Sequence, residues 1–153
     1  MSDTPRKSMM QTAAEAIRRD LLAGPQAAFF AGVPIIRADK GDLETAIAEA
    51  IGRLGLCLVV EVTGGPAPIP CDPTEWNAVV TIAESPAISR AGGGSGKTAD
   101  LALDAVLLAF AEGRGHFHPT EVRPLAGDDL AIEVRGKTLV LLAPEDEAGE
   151  GKC

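Results

Sequence analysis

Apolar positions at helical spacing predict two helices in the first third of the chain. The first covers residues 10–23 and ends at the Gly-Pro pair of positions 24–25. The second begins after Asp39 or Asp42, either of which suits an N-cap, and carries its apolar residues on one stripe. Gly55 follows that stripe, at the place where a helix C-terminus favours a left-handed residue.

A third predicted helix, over residues 99–112, is apolar on nearly every side. Thr98 precedes it as an N-cap, and Gly113 follows it. A helix that is apolar around most of its circumference is either deeply buried or covered by another subunit. Because a chain of 153 residues rarely encloses one helix completely, the interface alternative stands beside deep burial.

Alternating apolar and polar residues predict strands in the middle of the chain. Residues 33–36 are predicted to form an edge strand, because Pro34 cannot donate to a central ladder. A strand follows at 56–63, and a longer one occupies 75–85. The segment 64–73 between them contains four prolines and is predicted to be a stiff loop.

Short strands are also predicted after the third helix, at roughly residues 117–125, 130–134 and 137–142. Arg135-Gly136 is predicted to be a two-residue hairpin turn. This turn would pair Ile132 with Leu139 on a single buried face. The last two strands are therefore predicted to form a tight hairpin.

The order of these elements predicts an α+β fold, with a mostly antiparallel sheet of about four to five strands packed against about two to three helices. Residues 1–142 are predicted to form this single domain, which agrees with the usual domain size of ~100–150 residues. Residues 143–153 contain four acidic residues and one lysine. This run is predicted to be a disordered acidic tail.

Charge and composition argue against several classes of partner. The chain has 14 Lys and Arg against 22 Asp and Glu, a formal net charge of -8, and only 3% aromatic residues. Nucleic acids are bound by basic side chains that neutralise phosphates and by aromatic rings that stack on bases, so specific binding is not expected. The apolar runs are far shorter than the roughly 20 residues of a membrane span, and no signal peptide is expected.

A glycine-rich loop at residues 91–98 offers an alternative function. It ends in Gly96-Lys97-Thr98, as does the P-loop motif Gly-x-x-x-x-Gly-Lys-Thr, although Ala91 stands at the first glycine. A P-loop protein also needs a parallel sheet and a later strand ending in Asp, whereas the strands here are predicted to be antiparallel. A small nucleotide-binding protein that uses this loop is therefore the alternative, and a flexible loop before the N-cap Thr98 is the simpler interpretation.

Other chemistry-bearing residues do not form a recognisable catalytic or metal-binding motif. His116 and His118 would share one side of a strand, but a zinc site needs further ligands, and only the unplaced acids Glu121, Asp128 and Asp129 are near in sequence. Cys57 lies in an apolar run and is predicted to be a small buried hydrophobe. No cofactor or metal is predicted, and the chain is not expected to be an enzyme.

The layout of residues 39–142 resembles the tail terminator, or tail completion, proteins of long-tailed bacteriophages and related injection machines. The resemblance is carried by a long strand that ends in Glu84-Ser85-Pro86-Ala87-Ile88-Ser89-Arg90, a Gly/Ser loop, a Thr-capped helix at 98–112 and terminal strands. The helix at 39–54 and the strand at 56–63 precede them. The resemblance does not explain the first 30 residues or the loop at 64–73.

The resemblance implies an α+β subunit that forms a hexameric ring. Such a ring caps the tail tube, joins it to the head connector and lets DNA pass through its lumen without specific binding. The implied location is the head-proximal end of the virion tail, after assembly in the host cytoplasm. The implied partners are copies of the chain itself, the tail tube protein and the head-tail connector protein.

Within this resemblance, the apolar third helix and the loop before it are candidates for ring or tube contacts. The candidate interaction residues are Arg90, Lys97, Thr98, Leu103, Leu107 and Phe110. A stand-alone binding module or toxin-accessory module, without an assembly role, is the remaining alternative.

Overall fold

The computed structural model describes residues 8–39, 41–90, 96–125 and 130–143. Its helices are α1 (Met9–Ala23), α2 (Ala27–Phe30), α3 (Leu43–Leu54), α4 (Pro86–Ser89) and α5 (Ala99–Ala109), with a 3-10 turn at Ala111–Gly113. Its strands are β1 (Ile35–Arg37), β2 (Leu56–Gly64), β3 (Thr74–Glu84), β4 (His118–Leu125) and β5 (Leu130–Val140). The predicted acidic tail beyond Ala143, most of the glycine-rich loop, and Asp128 and Asp129 lie outside the described residues.

The fold is α+β, as predicted, with one five-stranded mixed sheet in the order β1-β2-β3-β5-β4. The edge strand β1 runs parallel to β2, and α3 forms the crossover between them. The remaining neighbours are antiparallel. No helix within the described residues is long and apolar enough to cross a membrane.

The helix ends follow from local side-chain and backbone chemistry. α3 begins after Asp42, whose carboxylate accepts hydrogen bonds from the Thr45 backbone N–H (3.2 Å) and hydroxyl (2.7 Å). Of the two predicted caps, Asp39 instead accepts a hydrogen bond from the Arg37 guanidinium. α3 ends at Gly55, which has the predicted left-handed conformation with φ +80°. A side chain at Gly55 would also collide with the Ser89 backbone.

The main core lies on one face of the sheet, beneath α1 and α5. Leu58 pairs with Ile82, and Val60 pairs with Val80, and all four side chains are fully buried there. The alternate residues of β2 point to the opposite face, where α3 packs. Cys57 is one of these, and its fully buried, free thiol confirms the prediction of a small buried hydrophobe. Burial raises the pKa of this thiol to about 11.

The predicted hairpin at Arg135-Gly136 is wrong, because residues 130–140 form the single strand β5. Arg135 and Gly136 pair with Val79 and Ala78 of β3 on one side and with β4 on the other. A Cβ atom at position 136 would overlap the His118 carbonyl group. The glycine therefore permits close approach of a neighbouring backbone and does not make a turn. As a result, Leu139 points to the opposite face from the core and is exposed.

β4 is an exposed edge strand that contains two prolines. Pro119 and Pro124 lack backbone N–H groups, and β4 pairs only with β5 among the described strands. Proline is a common feature of sheet edges that do not accept a further strand.

The proline-rich loop before β3 is attached to the sheet by the single tryptophan of the chain. Trp76 is nearly buried in the core, and its indole N–H donates a 2.7 Å hydrogen bond to the Pro66 carbonyl. Cys71, in the same loop, is disulfide-bonded. The Cys71 backbone N–H donates to the Leu142 carbonyl (2.9 Å), so the loop lies beside the end of the described chain.

Candidate functional site

A buried carboxylate joins the segments on which the resemblance rests. Glu84, at the end of β3, has no exposed surface and accepts a hydrogen bond from the Ser89 hydroxyl. It also accepts bonds from the Arg90 guanidinium (3.0 and 3.3 Å) and from the Ala99 backbone N–H (2.8 Å). We call these four residues the Glu84 cluster. They connect β3, α4 and the first turn of α5.

The hydrogen bonds of the Glu84 cluster favour the charged carboxylate. Burial alone would raise the pKa of Glu84, but hydrogen bonds from Arg90, Ser89 and Ala99 outweigh it, and the pKa is lowered. The hydrogen bond to Glu84 in turn raises the pKa of Arg90. The arrangement is thus a satisfied ion pair that holds α5 on the sheet.

Thr98 occupies the predicted N-cap position of α5, but its hydroxyl does not cap the helix. It donates to the Asp100 carboxylate, and this hydrogen bond is the largest of the effects that lower the pKa of Asp100. Glu84 instead accepts the first helical N–H, from Ala99. No role is predicted for Glu84 from the sequence, although the alternation of β3 places position 84 on its buried face.

Lys97 contacts backbone carbonyls at the end of α2. Its ammonium donates hydrogen bonds to the carbonyls of Phe29 (2.6 Å) and Ala31 (3.0 Å), and it lies 5.5 Å from the centroid of the Phe29 ring. A P-loop lysine binds phosphate groups instead. The preceding strand β3 also has antiparallel neighbours on both sides, whereas a P-loop follows a strand of a parallel sheet.

The two histidines do not converge on a common ligand site. His116 lies against Asp20, with 2.8 Å from its Nδ1 to a carboxylate oxygen and a 2.7 Å hydrogen bond from its backbone N–H to the same oxygen. His118 lies on the edge strand β4, opposite Lys137. Within the described ranges, no group of three or more His, Cys, Asp or Glu residues is suited to holding a metal ion.

The outward side of α5 carries two exposed leucines that sequence analysis did not single out. Leu101 and Leu108 are 48% and 54% exposed, and the exposed Asp104 lies between them. We call these three residues the α5 outer surface. Exposed leucines on a helix that is otherwise packed against the sheet are candidates for contact with another protein.

The apolar residues chosen from the sequence face the core instead. Leu103 and Leu107 are half-buried and pack against the core cluster. Phe110 is buried, and its ring makes an edge-to-face contact with Phe117 at 5.4 Å between centroids. Phe110 is therefore not available to a partner in this conformation. Arg90 remains about half exposed while it pairs with Glu84.

Further apolar surface lies on the same side of the sheet as α5. Leu130 pairs with Glu84 and Val122 pairs with the buried Val134, so both side chains point toward the helix layer. Both are exposed. α5 packs on β3 and β5, and Val122 lies beyond it on β4. This side of the subunit therefore presents several apolar side chains to water.

A groove lies at the opposite edge of the sheet, between α3 and β1. Its volume is about 360 Å³, and it is lined by Pro34, Ile36, Ala46, Glu49, Ala50 and Arg53. We call it the α3 groove. Four of its six lining residues are apolar, and the two alanines leave space between the helix and the strand.

The geometry described above is the basis for proposing a function. That geometry consists of a satisfied buried ion pair, an apolar helix surface and an apolar groove. No protein-family model, curated protein or solved structure matches this chain.

Proposed function

We propose that this chain is a tail terminator, a structural subunit of a long-tailed phage or phage-like particle that forms a ring on the tail tube and joins it to the head connector. The observation that carries the proposal is the pair of exposed leucines on the α5 outer surface, which an isolated subunit leaves in water. Burial of such surface in an assembly is favourable by about 25 cal/mol per Å². The residues of the resemblance supply the framework for this surface.

The Glu84 cluster supports a structural role for the segment that carries the resemblance. Residues 84–90 end a strand, form α4 and provide both the acid and the arginine of the cluster. The cluster fixes the first turn of α5, and α5 presents Leu101 and Leu108 on its outward side. The quoted segment thus holds a candidate contact helix in a defined position.

The test is whether the protein stops the growth of a tail tube. Purified protein is added to polymerising tail tube subunits, and tube lengths are measured by negative-stain electron microscopy. We expect shorter tubes with additional density at one end. Unchanged length distributions and bare tube ends at a saturating protein concentration would refute the proposal.

A matched pair of double variants separates the α5 outer surface from exposed apolar surface in general. L101Q/L108Q removes the two leucines of α5, and I69Q/L139Q removes two exposed aliphatic side chains elsewhere. We expect only the first variant to lose the effect on tube length. Far-ultraviolet circular dichroism checks that both variants keep the native fold.

A further inference from the structure

The α5 outer surface and the α3 groove lie toward opposite ends of the sheet. α5 packs on β3 and β5, whereas α3 packs on β1 and β2. The sheet order separates β1 from β5 by two strands. One surface projects leucine side chains, and the other is a concavity lined in part by two alanines. A single copy therefore carries two complementary shapes that cannot meet within the same chain.

The lengths of the two surfaces agree. Leu101 and Leu108 are two helical turns apart, which is about 10 Å along the axis. The α3 side of the groove extends from Ala46 to Arg53, which is also two turns. Large residues of one helix pack well into a groove left by small residues of another.

Unpaired charges on the two surfaces are also complementary. Asp104 is exposed on the α5 outer surface, and Arg53 is exposed at one end of the α3 groove. Neither forms a salt bridge with any other residue in the described part of the chain. Glu49 lies one turn before Arg53 and carries the same charge as Asp104. A placement that brings Asp104 beside Glu49 is therefore disfavoured. The charges thus favour a placement of α5 that brings Asp104 nearer to Arg53 than to Glu49.

We propose that the α5 outer surface of one copy packs into the α3 groove of a second copy, with Asp104 beside Arg53. The two surfaces differ, so the contact is heterologous and each copy can bind a neighbour on both sides. Repetition of a heterologous contact closes a ring when its rotation permits. The inference rests on the proposed function, since it names the partner of the α5 outer surface.

A charge swap tests the pairing. R53D, D104R and the double variant R53D/D104R are compared with the wild type by sedimentation velocity over a series of concentrations. We expect each single change to weaken self-association by at least about tenfold, and the double variant to regain near-wild-type association. R19D changes an exposed arginine on α1, outside both surfaces, and is expected to associate normally. The milder R53Q and D104N replace either single variant that fails to fold.

Three results would overturn the inference: a wild-type monomer at every concentration, single variants that associate normally, or a double variant that stays weak. Tube lengths measured with the same variants separate this inference from the proposed function. If L101Q/L108Q no longer shortens tubes but still self-associates, the leucines contact the tube protein and the inference fails. If the charge-swap variants associate as expected but the wild-type protein leaves tube lengths unchanged, the inference stands and the tail terminator proposal fails.

Discussion

Replacement of Glu84 by alanine tests whether its carboxylate holds α5 on the sheet. The substitution removes the acceptor for the Ser89 hydroxyl and the Ala99 backbone N–H, both buried. An unsatisfied buried donor costs about 1–3 kcal/mol, so we expect a loss of about 3–5 kcal/mol in the free energy of unfolding. By contrast, R90A removes a half-exposed partner and leaves two donors on the buried carboxylate, so it should cost less, about 1.5–3 kcal/mol.

The pH dependence of this loss has a defined sign. The pKa of Glu84 is lowered in the folded protein, so the folded state favours the charged form. The resulting stabilisation is full above the unfolded pKa, which is about 4.3 for a glutamate. It declines as the pH falls through the lower pKa of the folded state. The ion-pair part of the difference between wild type and E84Q should therefore be largest near neutral pH and shrink in acid.

Urea unfolding at neutral pH, followed by far-ultraviolet circular dichroism, measures these losses. R90A serves as the control, because it removes the exposed partner and leaves the carboxylate bonded to Ser89 and Ala99. If E84A costs no more than R90A, the carboxylate does not support α5 and the argument is wrong. A difference between wild type and E84Q that grows in acid would contradict the assigned pKa direction.

Three further predictions concern separate parts of the molecule. G136A should lower the free energy of unfolding in urea by at least about 1–3 kcal/mol, since its Cβ would overlap the His118 carbonyl. G52A, in the open part of α3, should stabilise the helix by about 0.5–1 kcal/mol. Equal effects of the two substitutions would contradict the close approach at position 136. The buried Cys57 thiol, whose pKa is raised to about 11, should react with iodoacetamide at mildly alkaline pH only after unfolding. Rapid labelling of Cys57 in the native protein, located by peptide mass spectrometry, would contradict its burial. Calorimetric titration with ATP should show no binding by the wild type, because the Lys97 ammonium is hydrogen-bonded to carbonyls at the end of α2. ATP binding that K97A abolishes would restore the P-loop alternative.

The elements with strong local signals were predictable from the sequence. The Gly55 cap, the edge strand near residues 33–36 and the alternating strands up to position 84 are set by residues close to them in the chain. β5 was not predictable in this way. A glycine between two alternating apolar runs suits a tight turn and equally suits close approach of another strand. Only the pairing with residues some 60 positions earlier along the chain decides between them.

Only part of the candidate contact surface could be predicted from the sequence. A helix that is apolar on most sides indicates surplus apolar surface, but it does not show which side faces the sheet. The Glu84 cluster and the packing of α5 on β3 and β5 fix that rotation. They turn Phe110 inward and Leu101 outward. The orientations of Phe110 and Leu101 thus depend on contacts between residues far apart in the chain, which no local sequence pattern indicates.

The position of Trp76 has a practical consequence for solution experiments. The chain has one tryptophan and no tyrosine, so its intrinsic tryptophan fluorescence reports a single site. That indole is nearly buried at the start of β3 and is bonded to Pro66 of the proline-rich loop. Its emission wavelength therefore follows the docking of that loop on the sheet, while far-ultraviolet signals follow the backbone. A red shift that precedes loss of the backbone signal would show the loop separating before the domain unfolds.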